Sequence, residues 1–122
     1  MESNTIDIGR CGEDAAVDYL RKQGFLIRER NWRNGRYEID IIAERWDEIH
    51  FVEVKTRKAG GWTTPEQAFD RHKFQSLGRA ASLYLALKRC ELEPVFDLCC
   101  VERLPDDSLD IRFIESVMQS HW

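Results

Sequence analysis

The spacing of apolar and polar positions changes along the chain from a helical period to an alternating one. In residues 8–23 the polar positions Arg10, Asp14, Asp18 and Arg21 share one face of a helix, and Gly24 follows as a residue suited to a C-terminal cap. This segment is therefore predicted to be an amphipathic helix.

Three stretches with strand character come next, at residues 25–32, 37–44 and 49–56. In the second stretch, Tyr37, Ile39, Ile41 and Ala43 fall on one face by strict alternation. The pair Asn34-Gly35 and the polar residues 45–48 provide turns short enough for hairpins. Together these features predict an antiparallel meander.

A second helix is predicted after a glycine-rich loop at residues 60–62. Residues 64–67 read Thr-Pro-Glu-Gln, which combines an N-cap, a proline at the first helical position and a capping-box glutamine. Apolar and small residues then recur at helical spacing to about Arg89, which makes this helix the longest predicted element.

Two further strands complete the pattern. Residues 95–101 are apolar on both faces apart from Asp97, which is typical of an interior strand, and residues 109–114 alternate after a turn at residues 105–107. The predicted fold class is α/β, with the element order αβββαββ and a mixed β-sheet flanked by helices.

Length and composition limit the class of protein. The 122 residues, 43% of them apolar, suffice for one hydrophobic core, so a single domain over residues 1–122 is expected. No apolar run approaches the roughly 18 residues of a membrane span, and the first residues do not resemble a secretory leader. We expect a cytoplasmic protein with no membrane partner. Cys99 and Cys100 lie in an apolar run and the cysteines lack zinc-site spacing, so buried reduced thiols are predicted.

Charge is distributed unevenly along the chain. The net charge of −4 argues against a generic nucleic-acid binder. However, residues 21–36 carry six basic side chains against Glu29 alone, whereas residues 91–115 carry eight acids against Arg103 and Arg112. The basic segment could bind phosphates, or both segments could be solvated faces, and the sequence leaves both readings open.

Glu13 is the first residue that does not fit a purely structural pattern. It lies on the apolar stripe of the first helix with Ala16, Val17 and Leu20, at helical spacing. A carboxylate in such a place requires a counter-charge or a metal, which makes Glu13 a candidate ligand or catalytic acid. The alternative is that Glu13 lies at the edge of the stripe and reaches a nearby arginine.

Acidic residues also recur on one face of two neighbouring predicted strands. Glu38 and Asp40 share a face in one strand, and Glu53 and Lys55 share a face in the next. If the two faces coincide, Asp40 and Glu53 would bind Mg²⁺, with water and phosphate oxygens completing its coordination. Lys55 would then position or deprotonate a water molecule or stabilise charge on the phosphate, and Glu13 would add an acid from the helix.

The combination is more specific than its parts. A Glu-x-Lys tripeptide alone is common on exposed strands and indicates only a surface. An acid on the first helix, an acid in the second strand, Glu-x-Lys in the third strand and a long helix after it follow the order of the PD-(D/E)xK nuclease core. The order therefore favours a metal-dependent nuclease fold.

Longer motifs surround these candidate residues: Gly9-Arg10-Cys11-Gly12-Glu13, Arg30-Asn31-Trp32-Arg33, Glu38-Ile39-Asp40-Ile41-Ile42-Ala43, Phe51-Val52-Glu53-Val54-Lys55-Thr56-Arg57, and Lys73 through Tyr84-Leu85. Together they resemble the YraN family of small bacterial proteins, and the resemblance covers residues 9–104. That family is similar to archaeal Holliday-junction resolvases. The resemblance implies a restriction-endonuclease-like core and action on branched or otherwise structured DNA.

The resemblance also implies a role for four residues of this chain. The helix acid of the family falls on Glu13, the acid of its Glu-Ile-Asp motif on Asp40, and its Glu-Val-Lys pair on Glu53 and Lys55. One departure is Tyr37, where the family usually has glycine. The ring could narrow the approach to Asp40 or fill the core on the opposite face, and period-two geometry favours the second.

Further candidates for a role are basic or aromatic. Phosphate contacts are predicted for Arg30, Arg33, Arg57, Lys58 and Lys73. Trp32 and Trp62 could stack on exposed bases, although each of these residues taken singly is more often a surface cation or a packing aromatic. His50, predicted to point away from the face of Glu53, receives no role, and neither do His72 and His121.

The combined prediction is a metal-dependent endonuclease acting on DNA, with Mg²⁺, or Mn²⁺ in its place, bound by Asp40 and Glu53. A four-way junction as the target would require two related cuts and therefore a homodimer. Two alternatives remain open. One is a nucleic-acid-binding module without turnover, and the other is a partner-binding scaffold in which the acids pair with arginines.

Overall fold

The computed structural model describes residues 5–58 and 70–117, which form two helices and five strands. The helices are α1 (Thr5–Lys22) and α2 (Arg71–Lys88), and the strands are β1 (Leu26–Asn34), β2 (Tyr37–Arg45), β3 (Glu48–Lys58), β4 (Glu93–Arg103) and β5 (Leu109–Ile114). The order is the predicted αβββαββ, and β5 has the predicted bounds.

All five strands form one mixed sheet in the order β1-β2-β3-β4-β5. The pairs β1–β2, β2–β3 and β4–β5 are antiparallel, so the predicted meander is confirmed. Strand β4 runs parallel to β3, because the chain returns along α2 before it enters β4. The apolar run of β4 lies inside the sheet, as predicted. The fold is α/β and is consistent with a restriction-endonuclease-like core.

Each face of the sheet carries a helix and a core of its own. The α1-side core consists of Ala16, Val17, Leu20, Phe25, Ile41, Ala43, Val52, Cys99 and Val101. The α2-side core consists of Ile39, Ile42, Ile49, Phe51, Phe74, Leu77, Ala80, Ala81, Tyr84, Leu98 and Cys100. Burial of these side chains is the main favourable contribution to folding. Cys99 and Cys100 are buried free thiols, one on each face, as the alternation of a strand requires.

Helix α1 ends where the sequence predicts. Gly24 adopts φ +90°, which a side chain would disfavour, and the Phe25 N–H donates to the Leu20 carbonyl over 3.0 Å. This C-terminal cap turns the chain into β1. Neither helix in the described part of the chain has the length and apolar character needed to cross a membrane.

Helix α2 begins later than predicted. Asp70 is extended and its side chain accepts a hydrogen bond from the Lys73 N–H over 3.2 Å, so Asp70 is the N-cap. The predicted start at residues 64–67 lies outside the described residues. The observed α2 starts at Arg71, and a helix running without a break from residue 64 to Arg89 is wrong, because the extended backbone of Asp70 interrupts it. At 18 residues α2 equals α1 in length, so the prediction that it is the longest element is wrong for the described residues.

The hairpin turns are short, and one is shifted from its predicted place. Asn34 already pairs with Tyr37, so the β1–β2 turn consists of Gly35 and Arg36 rather than Asn34-Gly35. Gly35 has φ +60°, a conformation that favours glycine at this position of the turn. A register shift between Ile27 and Glu29 leaves an extra residue in β1, which is one of the two edge strands.

Candidate active site

Asp40 lies where strands β2 and β3 separate. Their pairing ends at Ile41 and Val52, and Asp40 is the next residue of β2 beyond that last pair. Its Oδ2 atom accepts a hydrogen bond from the Val54 N–H over 2.9 Å, so the carboxylate satisfies a donor that the sheet leaves without a partner strand. This contact holds the Asp40 side chain against β3.

A backbone irregularity next to Asp40 changes which face of the sheet the neighbouring side chains occupy. Ile39 packs in the α2-side core, whereas Ile41, two residues later, packs in the α1-side core. On the paired strand, Trp32 packs against the α2-side core while Arg30 contacts α1. Asn31, between them, has φ +52°. Strict alternation therefore fails at Asn31 and Asp40, which lie opposite each other.

Glu53 is a buried acid on β3. It faces the α2 side like Phe51, is 6% exposed, and its Oε1 atom lies 3.2 Å from the Nζ atom of Lys73 on α2. Burial raises the pKa of Glu53, the negative charge of Asp40 raises it further, and Lys73 lowers it in part, for a net value of about 7. A buried carboxylate whose charge is opposed by a second carboxylate in this way favours a cation between the two.

Asp40 and Glu53 line the same cavity, which has a volume of about 400 Å³. The lining residues come from the β1–β2 turn, β2, β3 and the first half of α2: Arg36, Tyr37, Glu38, Asp40, Glu53, His72, Lys73, Ser76 and Leu77. The two acids that the sequence analysis paired therefore share one side of the sheet. Lys73 brings a positive charge to them, and partial burial lowers its pKa less than Glu53, Asp40 and Glu38 raise it.

Tyr37 contradicts the expectation from period-two geometry. It lines the cavity that contains Asp40, and it also packs against the α2-side core. The expectation that its ring lies on the face opposite Asp40 was wrong, because the irregularity at Asp40 interrupts the alternation. The guanidinium of Arg36 lies over the Tyr37 ring at 5.4 Å, and its hydrogen bond to the phenol lowers the pKa of Tyr37. The ring therefore forms part of the wall of the cavity that contains the acids.

Lys55 lies on the same face of β3 as Glu53. The pairing of β3 with β4 has no register shift, and the partners of Glu53 and Lys55 are Leu98 and Cys100, both in the α2-side core. Residues two apart on a strand are about 6.5 Å apart along it, so Lys55 is one step further along this face. Among the described residues, the cavity lining includes neither Lys55 nor Glu13.

Glu13 approaches the same region from the other side of the sheet. Its Oε1 atom accepts hydrogen bonds from Asn31 Nδ2 over 2.7 Å and from Arg30 Nη2 over 3.3 Å. Gly12, the preceding residue, allows α1 to approach β3, since a Cβ atom there would lie 2.3 Å from Thr56 Oγ1. Glu13 is therefore hydrogen-bonded to Asn31, the residue opposite Asp40. It also contacts Arg30, in agreement with the alternative prediction that Glu13 reaches a nearby arginine.

The predicted phosphate-binding residues differ in their surroundings. Arg30 pairs with Asp14 at 2.5 Å and with Glu13, and these hydrogen bonds raise its pKa. Arg33 pairs with Glu38 at 3.4 Å on the surface, and Lys73 pairs with Glu53. Arg57 and Lys58 lie at the exposed end of β3. Surface ion pairs contribute little free energy, so a phosphate can compete for Arg33. Trp62 and His121 lie outside the described residues, and Trp32 packs edge-on against Tyr84.

Sequence reasoning missed a buried polar pair at the other end of the sheet. His50 Nδ1 lies 2.6 Å from Asp97 Oδ2, His50 Nε2 lies 3.1 Å from Glu48 Oε1, and Asp97 also accepts from the Ser116 N–H. Burial lowers the pKa of His50, but the two carboxylates raise it more. Burial raises the pKa of Asp97 more than His50 lowers it. His50 faces away from Glu53, as predicted. The sequence signal that could have revealed this pair was Asp97, the one acidic residue in the apolar run 95–101.

Comparison with known proteins places the chain among small bacterial relatives. A family model described as Uncharacterised protein family UPF0102 matches residues 12–101. A UPF0102 protein of Bacteroides thetaiotaomicron is 43% identical over 95 residues, covering 78% of each chain. One from Dictyoglomus thermophilum is 38% identical over 99 residues, covering 80% of this chain and 84% of the relative. A third, from Syntrophotalea carbinolica, is 40% identical over 109 residues, covering 88% and 89%.

Proposed function

The chain belongs to the UPF0102 family, the YraN family, and we propose that it is a divalent-cation-dependent endonuclease-like protein that hydrolyses a phosphodiester in DNA. The observation that carries the proposal is the cavity shared by Asp40 and Glu53. Two acids from adjacent strands meet at the point where those strands separate, and the next position on the Glu53 face of β3 is Lys55. Acids and a lysine so arranged suit hydrolysis of a phosphate ester.

The donor set fits a small hard cation. Asp40 and Glu53 offer carboxylate oxygens, which Mg²⁺ and Mn²⁺ prefer, and a cation would offset the repulsion that raises the pKa of Glu53. Within residues 5–58 and 70–117, no group of three or more His, Cys, Asp or Glu side chains could hold an ion by itself. Water and phosphate oxygens would therefore supply the remaining ligands. When bound, the cation would polarise the phosphate and lower the pKa of a water molecule.

Lys55 would act on the reacting groups, whereas Glu13 would position the segment that carries Asp40. Lys55, on the Glu53 face, would orient the attacking water or stabilise charge that develops on the phosphate. Glu13, tied to Asn31 opposite Asp40, would keep the β1–β2 hairpin and α1 in register with the acids. Because Glu13 accepts a hydrogen bond from Asn31, its main role would be to position the segment of β2 that carries Asp40.

The substrate follows from charge and from the resemblance to Holliday-junction resolvases. Asp40, Glu53 and Glu38 would repel a DNA phosphate until a cation neutralises them, so DNA binding should depend on the metal. Arg36, His72 and Lys73 line the same cavity and would contact the backbone next to the scissile bond. Arg33, Arg57 and Lys58 would contact phosphates further away. We infer DNA with branched or otherwise structured geometry as the substrate.

A cleavage panel tests the proposal directly. Linear, flapped and four-way DNA would be incubated with Mg²⁺ or Mn²⁺ and with the wild type, Asp40→Asn, Lys55→Ala or the control Asp18→Asn, whose carboxylate forms an exposed pair with Lys22. We expect cation-dependent cutting by the wild type and Asp18→Asn, and at least about a hundredfold loss in the other two variants.

The other outcomes separate the remaining functions. Cation-dependent DNA binding without cutting by any variant would favour a nucleic-acid-binding module. No response to either cation or DNA would favour a scaffold protein. Equal cutting by the wild type, Asp40→Asn and Lys55→Ala would indicate a contaminating nuclease and would refute the assignment of the site.

A further inference from the structure

Lys73 combines a fixed backbone with a movable charged end. Its backbone N–H donates to the Asp70 side chain, so the residue belongs to the capped first turn of α2. Its side chain is 45% exposed, whereas the Glu53 side chain that it pairs with is only 7% exposed. The acid of this pair is therefore held in the protein interior, while the ammonium group lies at the mouth of the cavity. Such an ammonium can leave the pair by rotations within its own side chain.

The charges in the cavity favour a cation beside ionised Glu53 in both the metal-free and the metal-loaded protein. Asp40 and Glu53 carry two negative charges when ionised, and Lys73 is the cation at hydrogen-bonding distance from Glu53. With a divalent cation added, the four groups sum to +1, and the opposite charges of Arg36 and Glu38 in the same lining cancel. That sum matches the single negative charge of one phosphodiester. Without Lys73 the loaded site would be neutral and would attract the phosphate less.

We propose that Lys73 is an exchangeable counter-ion: it neutralises Glu53 in the metal-free protein, and it turns to the scissile phosphodiester once Glu53 is committed to a divalent cation. The inference rests on the proposed function and deepens it by naming the residue that couples metal loading to phosphate binding. Lys73 would thus be both a competitor of the metal and a contact of the substrate. A static structural ion pair would not have this double effect.

Removal of the charge should therefore move two affinities in opposite directions. In Lys73→Met, Mn²⁺ alone should bind up to about tenfold more tightly, because neither an ion pair nor the repulsion of a nearby ammonium opposes it. DNA should bind at least about tenfold more weakly in Ca²⁺, used as a cation that supports binding without turnover, because one phosphate contact is lost. Cleavage should show a higher KM. Lys73→Arg should retain DNA affinity.

The experiment measures free Mn²⁺ by electron paramagnetic resonance at pH 8, and DNA binding by fluorescence anisotropy with a labelled oligonucleotide. The matched control is Lys88→Met, which removes one exposed lysine from the last turn of α2, outside the cavity lining, and should change neither affinity. Thermal unfolding of each variant establishes that it is folded. Lys73→Arg, which keeps the charge, is the second test of the same role.

Each outcome decides one point. Tighter Mn²⁺ and weaker DNA binding in Lys73→Met support the inference. Equal affinities in Lys73→Met and wild type, or weaker binding of both ligands, overturn it and leave the proposed function standing. A wild type that binds neither Mn²⁺ nor DNA overturns the proposed function, and the inference with it.

Discussion

Replacement of Asp40 by two different residues should separate its structural contribution from its predicted role as a metal ligand. The Asp40 carboxylate accepts the Val54 N–H over 2.9 Å just beyond the last β2–β3 pair. Asp40→Ala leaves that N–H without its acceptor, and we expect the free energy of unfolding to fall by about 1–3 kcal/mol. Asp40→Asn retains an acceptor and removes the charge that repels Glu53, so we expect a change of less than about 1 kcal/mol.

The same variants should differ from the wild type in their response to Mg²⁺. A site with a dissociation constant on the order of 1 mM would add about 1.4 kcal/mol at ~10 mM Mg²⁺, which corresponds to roughly 3–6 °C in Tm for a chain of this size. The assay is urea unfolding followed by tryptophan fluorescence, with and without Mg²⁺. Asp18→Asn is the control and should gain as much as the wild type.

Two results would refute this reasoning separately. If Asp40→Asn gained as much stability from Mg²⁺ as the wild type, the ligand assignment would fail. If Asp40→Ala unfolded at the same urea concentration as the wild type, the hydrogen bond to Val54 would contribute nothing to stability, and the account of how the Asp40 side chain is held would be wrong.

Three further predictions concern the surroundings of the site and the fold. Gly12→Ala gains about 1 kcal/mol of helix propensity but places a Cβ atom against Thr56, so we expect the free energy of unfolding in urea to fall by about 1 kcal/mol or more. In a Thr56→Ala background the same change should lower the free energy of unfolding less. Equal decreases in both backgrounds would contradict the contact. Asn31→Ala should destabilise by about 1 kcal/mol more than Asn31→Gly, because φ is +52° there; Tm values in the reverse order would argue against that conformation. The folded-state pKa of His50 is raised, because Asp97 and Glu48 raise it more than burial lowers it. The stability that His50 contributes is therefore complete below its unfolded-state pKa of about 6.5 and is lost as the pH rises through the folded-state pKa. The loss is at most about 1.4 kcal/mol per pH unit. His50→Gln should flatten that slope, and a wild-type stability independent of pH from 6 to 9 would disprove the interaction.

The regular helices and strands could be predicted from the sequence, because the spacing of their apolar residues matches the side chains that are buried in the structure. Strand β5 has the predicted bounds, and the doubly apolar run of β4 lies inside the sheet. The proximity of Asp40 and Glu53 also followed from sequence, although regular alternation alone would have predicted it and β2 is not regular at Asp40. The two residues share a cavity through the irregularity at Asn31, which no periodicity signals.

The remaining features depend on contacts between segments that are distant in the chain. Lys73 was predicted to contact phosphate, but its pairing with Glu53 follows from how α2 lies across the sheet. Similarly, the pairing of His50 with Asp97 follows from the parallel register of β3 and β4, in which Asp97 stands beside Val52. A single sequence specifies the register of such a parallel pair only weakly, because a crossover rather than a tight turn connects the strands.

The two outer strands bear on how copies of the protein meet at high concentration. An open sheet edge can template strand addition from a second molecule, which leads to aggregation. Here β1 carries an extra residue at Arg28 and the exposed cation Arg33, and β5 is only six residues long, with charged Asp110 and Arg112. Both edges therefore discourage extension of the sheet from one molecule into the next. Two related cuts in a junction would require a homodimer. Its interface would then involve the helices or loops rather than the sheet edges.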